Sequence, residues 1–106
     1  MNILPALRDH LQGKFPDQKW DVVGMDDEAR MLMSAVGRSG YIVIEQKDNL
    51  VCIILQGTGV LGMTIDNLNY HFTIDLYHPD FLSKIRMAVR KCIRAEDIYN
   101  KLRQQP

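Results

Sequence analysis

The sequence predicts an α+β fold: an N-terminal helix, an antiparallel β-meander of four to six strands, and a C-terminal amphipathic helix packed on the sheet. Three observations carry this expectation. Apolar residues recur at helical spacing near both ends of the chain. From residue 19 to residue 76, clusters of turn-forming residues follow one another roughly every ten residues, as in successive short strands. The chain of 106 residues is 46% hydrophobic and 25% charged, enough for one core, so 1–106 reads as a single domain.

The first helix is expected over residues 2–14. Ile3, Leu4, Leu7, Leu11 and Phe15 fall on one face. Asn2 is a fit N-cap, and Pro5 is tolerated in the first turn, where its missing donor would be unpaired anyway. Gly13 and Pro16 end the helix.

Strands are expected at Trp20 to Met25, Ala29 to Val36, Tyr41 to Gln46, Leu50 to Leu55, Val60 to Ile65 and Tyr70 to Leu76. The last alternates, with Tyr70, Phe72, Ile74 and Leu76 inward and His71, Thr73 and Asp75 outward. The strand before it would turn Leu61, Met63 and Ile65 inward. The two middle strands are apolar on both faces, which suits a central or doubly covered position.

Residues 28–36 fit two patterns. Ala29, Leu32, Met33 and Val36 make a helix face, whereas Ala29, Met31, Met33 and Ala35 make a strand face. The turn spacing favours strand, and that assignment would turn Leu32 outward.

The second helix is expected from Asp80, as N-cap, to about residue 103. At about 100° per residue, Phe81, Ile85, Ala88, Val89 and Cys92 share one side. Arg86, Arg90 and Arg94 stack on another, with Lys84 and Lys91 nearby and Met87 among them. Past Ala95 the apolar positions drift around the axis, so a kink or a new packing partner is expected there.

Thirteen basic residues balance thirteen acidic ones, which argues against a wholly cationic polyanion binder. The zero is unevenly distributed. Residues 17–80 hold ten acids and four bases, and residues 81–106 hold seven bases and two acids. An acidic sheet region therefore faces a basic terminal helix. Solvation explains part of that stripe, but five cations and no acid between Lys84 and Arg94 is more than solvation requires.

Cys52 and Cys92 lie in apolar settings and read as reduced, buried residues of a cytoplasmic protein. The chain lacks the basic n-region and apolar h-region of a signal peptide, and no apolar run approaches the ~20 residues of a membrane span.

No motif names a reaction. Gly57-Thr58-Gly59-Val60-Leu61-Gly62 has the Gly-x-Gly-x-x-Gly spacing, but a strand rather than a helix is expected after it, so it reads as a turn. His71, Asp75 and His78, with Asp80, are the only set resembling a metal or acid–base cluster. Residues two apart on a strand face lie ~7 Å apart, so this set reads as a polar face and loop. No cofactor or metal is expected.

The order of helix, strands and basic helix is similar in outline to double-stranded-RNA-binding domains. The Gly-Pro-x-His loop of that family is absent, and Asp80-Phe81-Leu82-Ser83 replaces its lysine-rich helix start. Membership is therefore not carried over.

The resulting expectation is a small non-enzymatic protein-binding module: an inhibitor, adaptor or accessory subunit of the kind phages and mobile elements encode. It would act through Lys84, Arg86, Met87, Arg90, Lys91 and Arg94, or through a sheet edge, which would also allow a homodimer. The alternatives are a nucleic-acid binder using the same basic helix, and a small enzyme or metal site around His71, Asp75 and His78.

Overall fold

The computed structural model describes residues 2–24, 30–36, 40–57 and 70–103, with side chains to residue 95 apart from residue 57. Its elements are α1 (Leu4–Lys14), β1 (Asp21–Val23), β2 (Met31–Val36), β3 (Gly40–Lys47), β4 (Leu50–Gly57), β5 (His71–Asp75) and α2 (Phe81–Arg103). The strands form one antiparallel sheet in sequence order, with both helices against one face. The α+β meander between two terminal helices is thus the observed fold.

Helix α1 begins two residues later than expected, with Ile3 at the N-cap. Asn2 still accepts the Leu4 N–H at 3.0 Å. Gln46 ties this end to the sheet, accepting from Ile3 N–H at 2.9 Å and donating to Asp48 O at 3.0 Å. The β3–β4 connection is the two-residue turn Asp48-Asn49, with Lys47 opposite Leu50. Asp48 sits at φ 54°, in the left-handed region that Asp and Asn adopt most readily among residues with a Cβ.

The core is the layer between helices and sheet. Leu4, Leu7 and Leu11 descend from α1, and Ile85, Ala88, Val89 and Cys92 from α2. They meet Leu32, Val36, Ile42, Ile44, Val51, Ile53, Leu55 and Ile74, with Trp20 closing the α1 side. Helix α1 lies over β1 and β2, and α2 over β3, β4 and β5. The expected inward stripe of β5 is observed, with Phe72 and Ile74 packed and His71, Thr73 and Asp75 exposed.

Strand β2 is a strand, as its turn spacing implies, but its faces are reversed. Leu32, Ser34 and Val36 point into the core, and Met31, Met33 and Ala35 lie on the opposite face. The register explains the inversion. Leu32 pairs with Ile44 and Ser34 with Ile42, so both share the face of β3 that meets the helices. Buried Ser34 is accommodated by donating its hydroxyl to Gln18 Oε1 at 2.9 Å. A buried serine on the core face is what made the other face look more apolar in the sequence.

The two-sided apolar character of the middle strands has a matching cause. Strand β3 is central, and on its far face Val43 lies in register between Met33 and Ile54. It is only 3% exposed, although among the described residues no helix covers that face.

Strand β4 pairs directly with β5. The expected strand at 60–65 lies outside the described residues, as do the turns at 26–27, 37–39, 58–59 and 66–69. Helix α2 is continuous from Phe81 to Arg103, and no helix among the described residues is long and apolar enough to cross a membrane.

Candidate functional site

The chain leaves β5 through a turn built by its own polar side chains. Asp75 Oδ1 accepts the Tyr77 N–H at 2.8 Å, and His78 Nδ1 accepts the Asp80 N–H at 3.0 Å. Asp75 O also accepts His78 N–H, and Asp80 O accepts Lys84 N–H as the first helical bond. Two members of the His71, Asp75, His78 set are thereby engaged as turn caps, and His71 is exposed on β5. Among the described residues, no three His, Cys, Asp or Glu side chains are placed to hold a metal ion.

This turn brings α2 back over the sheet and leaves a groove between its exposed flank and β5. The groove has a volume of about 340 Å³ and is lined by His71–Ile74, Lys84, Met87, Ala88 and Lys91. Met87 is 51% exposed, a large apolar side chain standing between two lysines. Lys91 Nζ lies 5.7 Å from the centroid of the Phe72 ring, a cation–π contact that holds the ammonium at the groove wall without neutralising it.

The other wall is β5, the last strand of the sheet among the described residues. Tyr70 O accepts Leu55 N–H, and Leu76 N–H donates to Asn49 O. In an antiparallel pair these bonds alternate, so residues 70, 72, 74 and 76 direct their backbone groups at β4. His71 and Thr73 direct theirs away from it. Among the described residues, no backbone group pairs with them.

The six residues singled out on the basic helix therefore do not act as one stripe. Lys84, Met87 and Lys91 face the β5 groove. Arg86 and Arg90 turn to α1: Arg86 Nη1 lies 3.1 Å from His10 Nε2, and the Arg90 guanidinium 5.8 Å from the Phe15 ring centroid. Arg94 is exposed beyond both. Helical periodicity alone puts these cations on one polar side. Only the position of α1 shows that two of them serve the helix–helix seam. Conversely, the place of His71 and Thr73 beside the groove escapes a sequence reading, because nothing local marks which element a strand lies next to.

His10 is held below the ordinary histidine range, first by burial and then by the positive charges of Arg86 and Lys14. A neutral ring can accept from Arg86, and a protonated one cannot. The unfolded chain then binds a proton at this site more readily than the folded one. The stabilisation is present above the ordinary value of ~6.5 and lost as pH falls toward the lowered folded-state value. The urea midpoint is expected to drop as pH is lowered through 6.5, with a shallower slope in His10→Gln. An unchanged slope in that variant would assign the dependence to other groups.

The cysteines differ in reactivity by the same logic. Cys92 is fully buried, and burial pushes its thiol up to about 12. Cys52 is half-buried on the far face of the sheet, 3.9 Å from Thr73 Oγ1. At pH 8, iodoacetamide is expected to label one thiol per native chain, at Cys52, and two in denaturant. Prompt native labelling at Cys92 would contradict its placement.

Other depressions lie among the described residues. One of about 270 Å³, between α1 and the start of α2, is lined by Ile3, Ala6, Leu7, His10, Leu76, Phe81 and Leu82. Another, about 370 Å³, lies by Trp20 and Asp21 beside β1. Neither places an exposed apolar side chain between two cations, as Met87 stands between Lys84 and Lys91. In comparisons with family models, curated proteins and solved structures, the chain has no match.

Proposed function

We propose that the protein is a small non-enzymatic binding module, an inhibitor, adaptor or accessory subunit, that engages a protein partner through α2 and the edge of β5. The observation that carries this reading is the groove beside β5 in which exposed Met87 stands between Lys84 and Lys91. Apolar area ringed by charge is the composition of a protein-docking surface. Two free thiols suit work in the reducing cytoplasm, and a short accessory protein of this kind fits a phage or mobile-element origin.

Nucleic-acid binding by Lys84, Arg86, Arg90, Lys91 and Arg94 is the competing reading, and the engagement of Arg86 and Arg90 with α1 counts against it. The test places a photoreactive p-benzoylphenylalanine at position 87, identifies the crosslinked partner, and titrates that partner in pure form. Lys84→Glu/Lys91→Glu is expected to weaken the complex tenfold or more, because like charges then face each other. Thermal stability should not change, since both side chains are exposed. Equal affinity in the reversed variant overturns the reading. Tight, steeply salt-dependent oligonucleotide binding transfers it to the nucleic-acid alternative.

A further inference from the structure

We infer that the cleft between α1 and the start of α2 binds a small amphipathic carboxylate, with its apolar chain in the cleft and its charge against Arg86. This site is separate from the β5–α2 groove and does not depend on the binding-module reading.

The cleft gives the chain its place. It holds about 270 Å³, and every side chain lining it except His10 is apolar. Ile3 and Leu7 come from α1, Phe81 and Leu82 from α2, and Leu76 from the turn between β5 and α2. Leu82 is 44% exposed, a large apolar side chain that the fold leaves uncovered. The lining residues are all described, and they gather at the Leu76 end of β5. Gly57 and Tyr70 lie at the other end of the sheet, about 20 Å away along the strand. The volume falls just below the ~300–1,000 Å³ of drug-sized ligand sites, so the ligand is small.

Apolar space alone would accept any hydrocarbon. The charge at its His10 end selects an anion. Arg86 follows Leu82 by one helical turn on the same flank of α2, and its Nη1 lies 3.1 Å from His10 Nε2. Among the described residues, the ion pair that forms is Arg8–Asp9, and no carboxylate reaches Arg86. His10 accepts from the guanidinium but supplies no counter-charge. Lys14, one turn beyond His10, and Arg90, against the Phe15 ring, add further cations to the same seam. A half-buried guanidinium without a counter-ion favours an anion. Arg86 Nε and Nη2 make no hydrogen bond to the described residues, and that fork matches the two oxygens of a carboxylate.

The alternatives fit less well. A neutral hydrocarbon gains nothing from Arg86, and an organic cation is repelled by the seam. An inorganic anion leaves the apolar lining uncovered.

The experiment titrates octanoate into the intact, isotope-labelled protein at constant ionic strength, with octanol, octylamine and acetate as controls. Octanoate is expected to bind at one site with a Kd of about 1 mM or below. Amide shifts should gather on residues 6–10, 76 and 81–86, with chain-to-methyl NOEs at Leu7, Leu76 and Leu82. The three controls should bind at least tenfold more weakly. Arg86→Gln should weaken octanoate at least tenfold and erase its advantage over octanol. Leu82→Glu, at an exposed position, should weaken octanoate without lowering thermal stability. A peptide ending in leucine presents the same chemistry. Tighter binding of that peptide than of octanoate, lost in its C-terminal amide, assigns the carboxylate to a chain terminus, and weaker binding assigns it to a free acid.

Equal affinity for octanoate and octanol overturns carboxylate recognition, as does unchanged affinity in a folded Arg86→Gln variant. Shifts spread over several surfaces, or no saturable binding up to about 10 mM, overturn the site itself.

Discussion

Replacing Trp20 with alanine is expected to destabilise the protein by about 3–5 kcal/mol, a large part of the stability of a domain this size. Trp20 is 1% exposed and fills the end of the core where α1 meets the sheet. Its backbone is the anchor of the α1–β1 connection. Its N–H donates to Gln12 Oε1 at 3.1 Å, and its C=O accepts from Arg8 Nε at 3.3 Å. Gln12 closes the clasp by donating to Gln18 O at 2.8 Å.

The indole itself is not fully satisfied. Trp20 Nε1 is buried, and among the described residues it has no hydrogen-bond partner. An unpaired buried donor costs about 1–3 kcal/mol. Trp20→Phe therefore removes an orphan group while retaining a ring. It should cost less than about 1.5 kcal/mol, against the full loss for alanine. The check is the urea midpoint of the two variants at constant slope. Equal losses would mean that the smaller ring recovers none of the packing lost with the indole.

The second large effect tests the face reversal of β2. Leu32 is fully buried opposite Ile44, so Leu32→Ala should cost about 2–5 kcal/mol. Met33, one residue along, lies half-buried on the far face, and Met33→Ala should cost about 1 kcal/mol or less. The contrast is diagnostic because a one-residue shift in register exchanges the two faces. Comparable losses at the two positions, or a larger one at Met33, would refute the observed register.

These variants also show how far the sequence could be read. The two helices were legible from Leu4, Leu7 and Leu11, and from Ile85, Val89 and Cys92, because an amphipathic helix must repeat its apolar stripe. The five observed strands could be placed because turn residues such as Asp48-Asn49 are local requirements. The face of β2 was not legible. Met31, Met33 and Ala35 look more apolar than a set containing Ser34, and the Gln18 partner that permits Ser34 inside lies sixteen residues away in sequence.

The candidate site divides the same way. The basic character of α2 and the exposure of Met87 follow from its own periodicity. The assignment of each cation to a neighbour depends on which element lies beside it.

The sequence by itself determined the element types, their order, the core faces of α1, α2 and β5, and the concentration of positive charge on the last helix. All of these rest on spacing within a single segment. The tertiary structure alone decided that β2 buries Leu32, and that β4 lies directly beside β5. It alone decided that Arg86 and Arg90 serve the α1 seam while Lys84, Met87 and Lys91 border β5. Those are properties of pairing and adjacency. They arise because backbone hydrogen bonds between strands, and contacts between distant side chains, choose among arrangements that local periodicity leaves equivalent.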